Sequence, residues 1–168
     1  MRVFVLVTDM ESVYRRKGIA SRFVVSSLLI SRSIRKDAVS CIYLKDNRTL
    51  ISLYGSEIRQ LRADEASAWG IIKKALKSRH RRPHTGVFID RDVSLRDVVK
   101  KFKVDKVLAR SNVGIDVMRA FSSLRAFMYI TGYLGSLEVD HMQVVFGESM
   151  RPEQEVVVVN IICDRSLR

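Results

Sequence analysis

The chain reads as an α/β protein on a mostly parallel sheet with helices on its faces, and three observations predict this. From Thr85 onward, short β-branched and aromatic runs alternate with helical stretches, the pattern of strand–helix–strand units. Two of those runs, Met128-Tyr-Ile-Thr-Gly-Tyr-Leu-Gly-Ser-Leu137 and Val144-Val-Phe-Gly-Glu-Ser-Met150, stop at a glycine followed by small or polar residues. Buried parallel strands end this way, in turn residues at the carboxyl end of a compact apolar run. The third is size: 168 residues, 47% of them hydrophobic, suffice for one domain with a substantial core over 1–168.

Taken in order, residues 2–7 form a buried strand, and 9–18 a polar loop ending in Tyr14-Arg-Arg-Lys-Gly18 that could face phosphate. Ala20 to Ser33 carries Phe23, Leu28 and Leu29 at helical spacing. Ala38–Leu44 and Thr49–Tyr54 flank the polar turn Lys45-Asp-Asn-Arg48 and predict a hairpin. Asp64 is placed to cap a helix over 65–78, with Ala66, Trp69, Ile72 and Leu76 on one face. The basic run Lys77-Ser-Arg-His-Arg-Arg-Pro-His84 is a loop, either an RNA contact or a solvated connector. Strands then follow at 87–89, 107–109, 127–131 and 142–146, with helices near 94–102 and 114–122. In the last segment, Val156-Val-Val-Val159 and Ile161-Ile162 have the composition of a strand.

Composition narrows the function. Lys plus Arg number 30 against 18 Asp plus Glu, a net charge of +12, and such an excess on a compact domain predicts a polyanionic partner, nucleic acid first. No apolar run reaches the roughly 18 residues a membrane span needs. The strand-like start, without a cleavage site, predicts a cytoplasmic protein. Cys41 and Cys163 sit in apolar runs and read as buried free thiols of a reducing compartment. His80, His84 and His141 lack ligand spacing, so no metal is expected.

Chemistry is expected at the glycine turns, because ligands of open α/β sheets sit beyond the carboxyl ends of the strands. Glycine there permits positive φ and a close approach of backbone amides. Gly132 and Gly135 do not make a dinucleotide fingerprint, and no P-loop lysine follows. A cofactor cradle and ordinary strand-end turns both remain open on spacing alone.

Several segments together resemble one family. Ser31-Arg-Ser-Ile-Arg-Lys-Asp37, Gly55-Ser-Glu-Ile58, Asp64-Glu65, Ile71-Ile-Lys-Lys-Ala-Leu76 and Thr85-Gly-Val-Phe-Ile89 are similar, in order and spacing, to the TrmY-like family. These are the archaeal tRNA pseudouridine-54 N1-methyltransferases of the SPOUT superfamily, related to small-subunit rRNA pseudouridine N1-methyltransferases. The resemblance implies a Rossmann-like sheet with an N-terminal β-hairpin elaboration, a deep trefoil knot in the carboxyl-terminal half, and a homodimer. It also implies that Glu153 to Asp164 is a helix at the dimer region, against its β propensity.

The resemblance further implies S-adenosylmethionine as cofactor, held mainly by backbone groups of three loops. Their counterparts are Leu108; Thr131 and Gly132 with Gly135; and the loop of Val145, Phe146, Gly147, Glu148, Ser149 and Met150. Glu155 is expected beside the sulfonium. Asp37 is the candidate base or base-orienting group, though a cap or ion pair ahead of the hairpin fits it equally. Arg22, Arg35 and Lys36 are the candidate tRNA phosphate contacts, each also readable as a surface ion pair. Three positions depart from the family: Ser21-Arg-Phe-Val24 lacks its aspartate, Gly132-Tyr-Leu-Gly-Ser136 lacks its Asp-His pair, and Gln154-Glu155 replaces its His-Cys pair. The function implied is N1-methylation of a pseudouridine in the tRNA T-arm. The alternatives left open are an rRNA pseudouridine target and a catalytically degenerate paralogue that binds RNA.

Overall fold

The computed structural model describes residues 1–31, 33–135 and 137–166. Arg32, within the helix expected over 20–33, Ser136, within an expected cofactor turn, and Leu167 and Arg168 lie outside the described residues.

Seven strands form one sheet. In chain order they are β1 (Arg2–Thr8), β4 (Ala38–Leu44), β5 (Thr49–Tyr54), β6 (Val87–Asp90), β7 (Lys106–Asp116), β8 (Phe127–Gly132) and β9 (Met142–Val145), with a separate two-stranded pair β2 (Leu29–Ile30) and β3 (Ser33–Ile34). The spatial order is β6-β5-β4-β1-β8-β7-β9. β4, β1, β8, β7 and β9 are mutually parallel. β5 and β6 add an antiparallel flank. The expected hairpin is therefore present, but 87–89 extends that hairpin instead of opening the parallel half.

β1 is buried along its whole length, and its alternation supplies two cores. Phe4 and Leu6 face the helices α2 (Lys17–Leu28), α3 (Glu65–Lys77) and α6 (Pro152–Ser166), while Val3, Val5 and Val7 face the side covered by α4 (Leu95–Lys101) and by Leu134, Leu137 and Val139. Among the described residues no helix is long and apolar enough to cross a membrane, and no group of three or more His, Cys, Asp or Glu could hold a metal ion. Cys41 and Cys163 are free and buried, and burial pushes their thiols up to about 12 and about 11.

Four further sequence expectations need correction. The polar stretch 9–18 is a helical corner: α1 (Met10–Arg15) is capped by the Asp9 side chain, and α2 starts at Lys17. The helix expected to run to Ser33 ends at Leu28, where Leu29 turns extended and Ser31 takes φ +50°. The buried face of α3 is Ala68, Ile71, Ile72 and Ala75, while Ala66 is exposed. The helix expected over 114–122 shrinks to α5 (Val117–Phe121), because β7 continues to Asp116, which caps it.

The last segment is helical, α6, despite its valines. Pro152 occupies the first position, where its missing N–H costs nothing, and Glu153 and Glu155 lie in the first turn, which favours acids. Val156, Val159, Ile162 and Cys163 then fall on one buried face, against which α2 packs. Tertiary burial overrides local propensity here.

Candidate active site

The parallel strands all end at one edge of the sheet, and the glycine turns lie there. Gly132 closes β8 at φ +100°, and a Cβ on it would meet the Val7 carbonyl oxygen at 2.3 Å. That carbonyl accepts a hydrogen bond from the Tyr133 amide at 2.9 Å, so only glycine lets β8 turn back beside β1. Gly135 (φ +50°) and Gly147 differ, since a Cβ on either would meet nothing within 4 Å. Their backbone faces open space. Beside Gly132 and Tyr133, a cleft of about 230 Å³ is walled by Leu6, Thr8, Ser12, Arg16 and Pro152 among others.

Behind the turns lies a buried polar cluster. The Glu155 Oε2 oxygen accepts hydrogen bonds from Tyr129 Oη at 2.9 Å and Thr131 Oγ1 at 2.5 Å. Burial raises the Glu155 carboxyl above its usual range, partly offset by those two donors and by Arg110. Arg110 Nε lies 3.6 Å from Glu155 Oε1, and its guanidinium carbon sits 5.0 Å from the centre of the Phe146 ring. Arg110 Nη1 is buried and has no hydrogen-bond partner among the described residues.

The structure therefore brings one part of the expected site together. Leu108, fully buried, lies in register with Tyr129 and Met142. Thr131, Phe146 and Glu155 join the cluster around Tyr129. Gly147, Glu148 and Ser149 are exposed, and Val145 and Met150 half-buried, around its rim. Gln154 is exposed, and its Oε1 accepts from the Arg151 amide as a helix cap, so it does not line the cluster.

Asp37 is not brought to this site. It precedes β4 at the opposite, amino-terminal edge, where Ala38 pairs with Arg2, whereas Gly132 pairs with Val7. The length of a strand, roughly 20 Å, lies between them. There Asp37 Oδ2 pairs with Arg2 Nε at 3.2 Å, and Arg2 Nη1 reaches Asp164 at 2.8 Å and Asn160 at 2.9 Å. Arg35 makes two parallel hydrogen bonds to Asp164, at 2.8 and 2.7 Å, and so is already spoken for. Lys36 is exposed. Arg22 bridges Glu65 at 2.7 Å and Glu153 at 3.2 Å, tying α2 to α3 and α6. In the basic run, Arg81 pairs with Asp90 and Arg82 with Glu57.

Sequence reasoning missed Arg110, Tyr129 and the cleft residues Thr8 and Ser12, whereas Arg16 belongs to the basic run 14–18 expected to face phosphate. A charged residue closing the apolar run Val107-Leu-Ala-Arg110 was the available signal. Thr8 ends β1, and Ser12 belongs to the helical corner that the polar composition of 9–18 conceals.

Compared with known proteins, residues 5–132 match the family model described as "Putative SAM-dependent RNA methyltransferase". No curated protein matches by sequence. Among solved structures the chain is similar to the crystal structure of Archaeoglobus fulgidus Nep1 bound to S-adenosylhomocysteine, with a TM-score of 0.67 at 13% identity. That similarity covers 99% of this chain and 98% of the other, and at such identity it speaks for the fold alone.

Proposed function

This chain belongs to the family of SAM-dependent RNA methyltransferases, with S-adenosylmethionine as its cofactor, and we propose that it methylates N1 of pseudouridine 54 in the tRNA T-arm. The observation that carries the site is the convergence of the glycine turns, the cleft and the Arg110–Glu155 cluster on the one edge where the parallel strands end. The tRNA target rests on the ordered TrmY-like segments from 31 to 89. So do the knotting of the carboxyl-terminal half and assembly as a homodimer.

The residues present fit the cofactor. Open backbone at Gly135 and Gly147 can take polar groups of an adenosine, and the Phe146 ring offers an apolar wall. In this reading Leu108, Thr131, Gly132, Gly135, the loop of Val145 to Met150, and Glu155 hold it. When bound, S-adenosylmethionine supplies a methyl group activated on a sulfonium. The chain's own part is positioning, with Glu155 and its two hydroxyl donors fixing the floor of the site.

Pseudouridine N1 carries a proton that must leave. Near the cleft, the Asp9 carboxylate is committed to capping α1, where hydrogen bonds from the Ser12 amide and hydroxyl hold it below its usual range. Asp37 remains the proposed base, and at a strand's length from the turns it serves them only from a second subunit. An exposed apolar surface supports such an assembly: Val157 and Ile161 on α6, Met118 on α5, and Val113 and Ile115 on the outer part of β7. Arg22, Arg35 and Lys36 are proposed to meet RNA. Arg22 and Arg35 do so only by exchanging or sharing their present carboxylate partners.

The test is methyl transfer to three RNAs: tRNA with pseudouridine 54, the same tRNA with uridine 54, and an rRNA helix containing pseudouridine. Transfer to the first alone is expected, read by nucleoside mass spectrometry. Transfer to the rRNA helix instead would move the target. RNA binding without cofactor affinity by calorimetry would leave a degenerate RNA-binding paralogue, the reading favoured by the missing Asp-His and His-Cys pairs.

A further inference from the structure

Arg110 is held in an arrangement that the described residues of its own chain do not complete. It is the last residue of β7 to pair with β9 before four residues loop out; Arg110 and then Ile115 both face Val144. This fixes the guanidinium between the ends of β8 and β9, over Phe146 and beside Glu155, in the middle of the proposed cofactor site. The contact to Glu155 is 3.6 Å, too long for a hydrogen bond, and Glu155 Oε2 is taken by Tyr129 and Thr131. Nη1 is out of water and has no acceptor among the described residues, while 22% of the side chain remains exposed, so the guanidinium lies at the border between the buried cluster and solvent. A buried N–H of a cation without an acceptor costs stability, and a planar fork with a free edge is suited to a carboxylate.

We propose that Arg110 is the anchor for the α-carboxylate of the methionyl part of the cofactor, a role that rests on the assignment of S-adenosylmethionine to this site. That carboxylate is the only anionic group of the molecule. Docked on the Nη1 edge, it satisfies the orphaned donor and leaves the adenosine to the glycine turns. Phe146 keeps the guanidinium plane from rotating away. Arg110 is a positioning residue here, since it touches the cofactor at the end remote from the methyl group.

Calorimetry separates the possibilities with two probes, S-adenosylmethionine and its decarboxylated analogue, each titrated into wild type, Arg110→Gln and Arg110→Lys. Wild type is expected to prefer the carboxylated probe by about 10- to 100-fold, the range of a charge-assisted hydrogen bond. In Arg110→Gln the preference should vanish while the decarboxylated probe binds as in wild type. Arg110→Lys should keep part of it through its point charge. The wild-type comparison stands even if a variant fails to fold, which circular dichroism would reveal. Equal binding of both probes by wild type, or a preference that survives in Arg110→Gln, overturns the assignment of Arg110. If wild type binds neither probe, the cofactor site itself is misplaced and the proposal falls with it.

Discussion

The two edges of the parallel sheet hold similar side chains under opposite conditions. At the amino-terminal edge, Arg2 is 4% exposed and meets Asp37, Asp164 and Asn160, and Arg35 meets Asp164 through two hydrogen bonds. One nitrogen there, Arg35 Nε, is buried without a partner among the described residues. At the carboxyl-terminal edge, Arg110 has, among the described residues, a long contact to Glu155 and an aromatic face, and the chain turns through glycines beside open space. Charges that satisfy one another stabilise a fold, whereas charges left wanting are available to a ligand. That contrast, more than any motif, marks out the cofactor site.

The largest effect that would break the comparison is at the saturated edge. Arg2→Met removes one partner from a buried ionic network and should cost about 3–5 kcal/mol in thermal or denaturant unfolding. Because Arg2 also holds Asp37, the proposed base, methyl transfer per folded molecule should fall as well. Cofactor affinity measured by calorimetry should be unchanged, and a loss of that affinity would draw this edge into the cofactor site. Gly132→Ala comes next, at about 2–4 kcal/mol, because a Cβ at φ +100° collides with the Val7 carbonyl. Its cofactor affinity, measured by calorimetry, should fall as the turn shifts.

Acid and base sharpen the contrast further. Burial pushes the Asp164 carboxyl up, but hydrogen bonds from Arg35 and Arg2 more than reverse this and hold it below 3.8. Its contribution to stability is present above that pH and is lost as pH falls through the lower folded value. Glu155 is the reverse: its folded value lies above 4.5, so its favourable contribution is complete below that pH and is lost as pH rises through the raised value. Asp164→Asn should flatten the acid side of a plot of Tm against pH, and Glu155→Gln the decline on the other side. The smallest effect is Gly147→Ala, within about 0.5 kcal/mol of neutral in stability because space surrounds it. A fall in cofactor affinity without a change in Tm would mark Gly147 as part of the cradle.

Much of the fold was legible. The strands at 2–7, 38–44, 49–54 and 127–131 are compact β-branched runs, and the Asp64 cap, the hairpin turn and the carboxyl-edge glycines follow from side-chain chemistry alone. The pairing of β6 with β5 was not, because the three-residue apolar run Val87-Phe-Ile89 does not say which neighbour it will choose. The helix α6 was legible only through family resemblance, since its four consecutive valines carry strand propensity and burial decides the matter. In the site, the turns were visible and their partners were not. Arg110 and Glu155 are 45 residues apart in sequence, and only topology brings them together. Asp37 stands in a motif that reads plausibly for a base, and nothing in local sequence says which end of the sheet it will occupy.

The detour in β7 has a consequence for how such a molecule changes over time. Because the strand departs and resumes opposite the same residue, Val144, residues 111–113 can be lengthened, shortened or replaced without sliding the ladder that carries Arg110. Gly114, at φ +140°, stays glycine because a Cβ there would meet the Gln143 carbonyl oxygen at 2.3 Å. Variation can accumulate in the outward contour while the interior alignment stays fixed. A lineage could thus exchange its neighbours without retuning its chemistry, and an inserted reporter at Val113 would register company without disturbing the ligand.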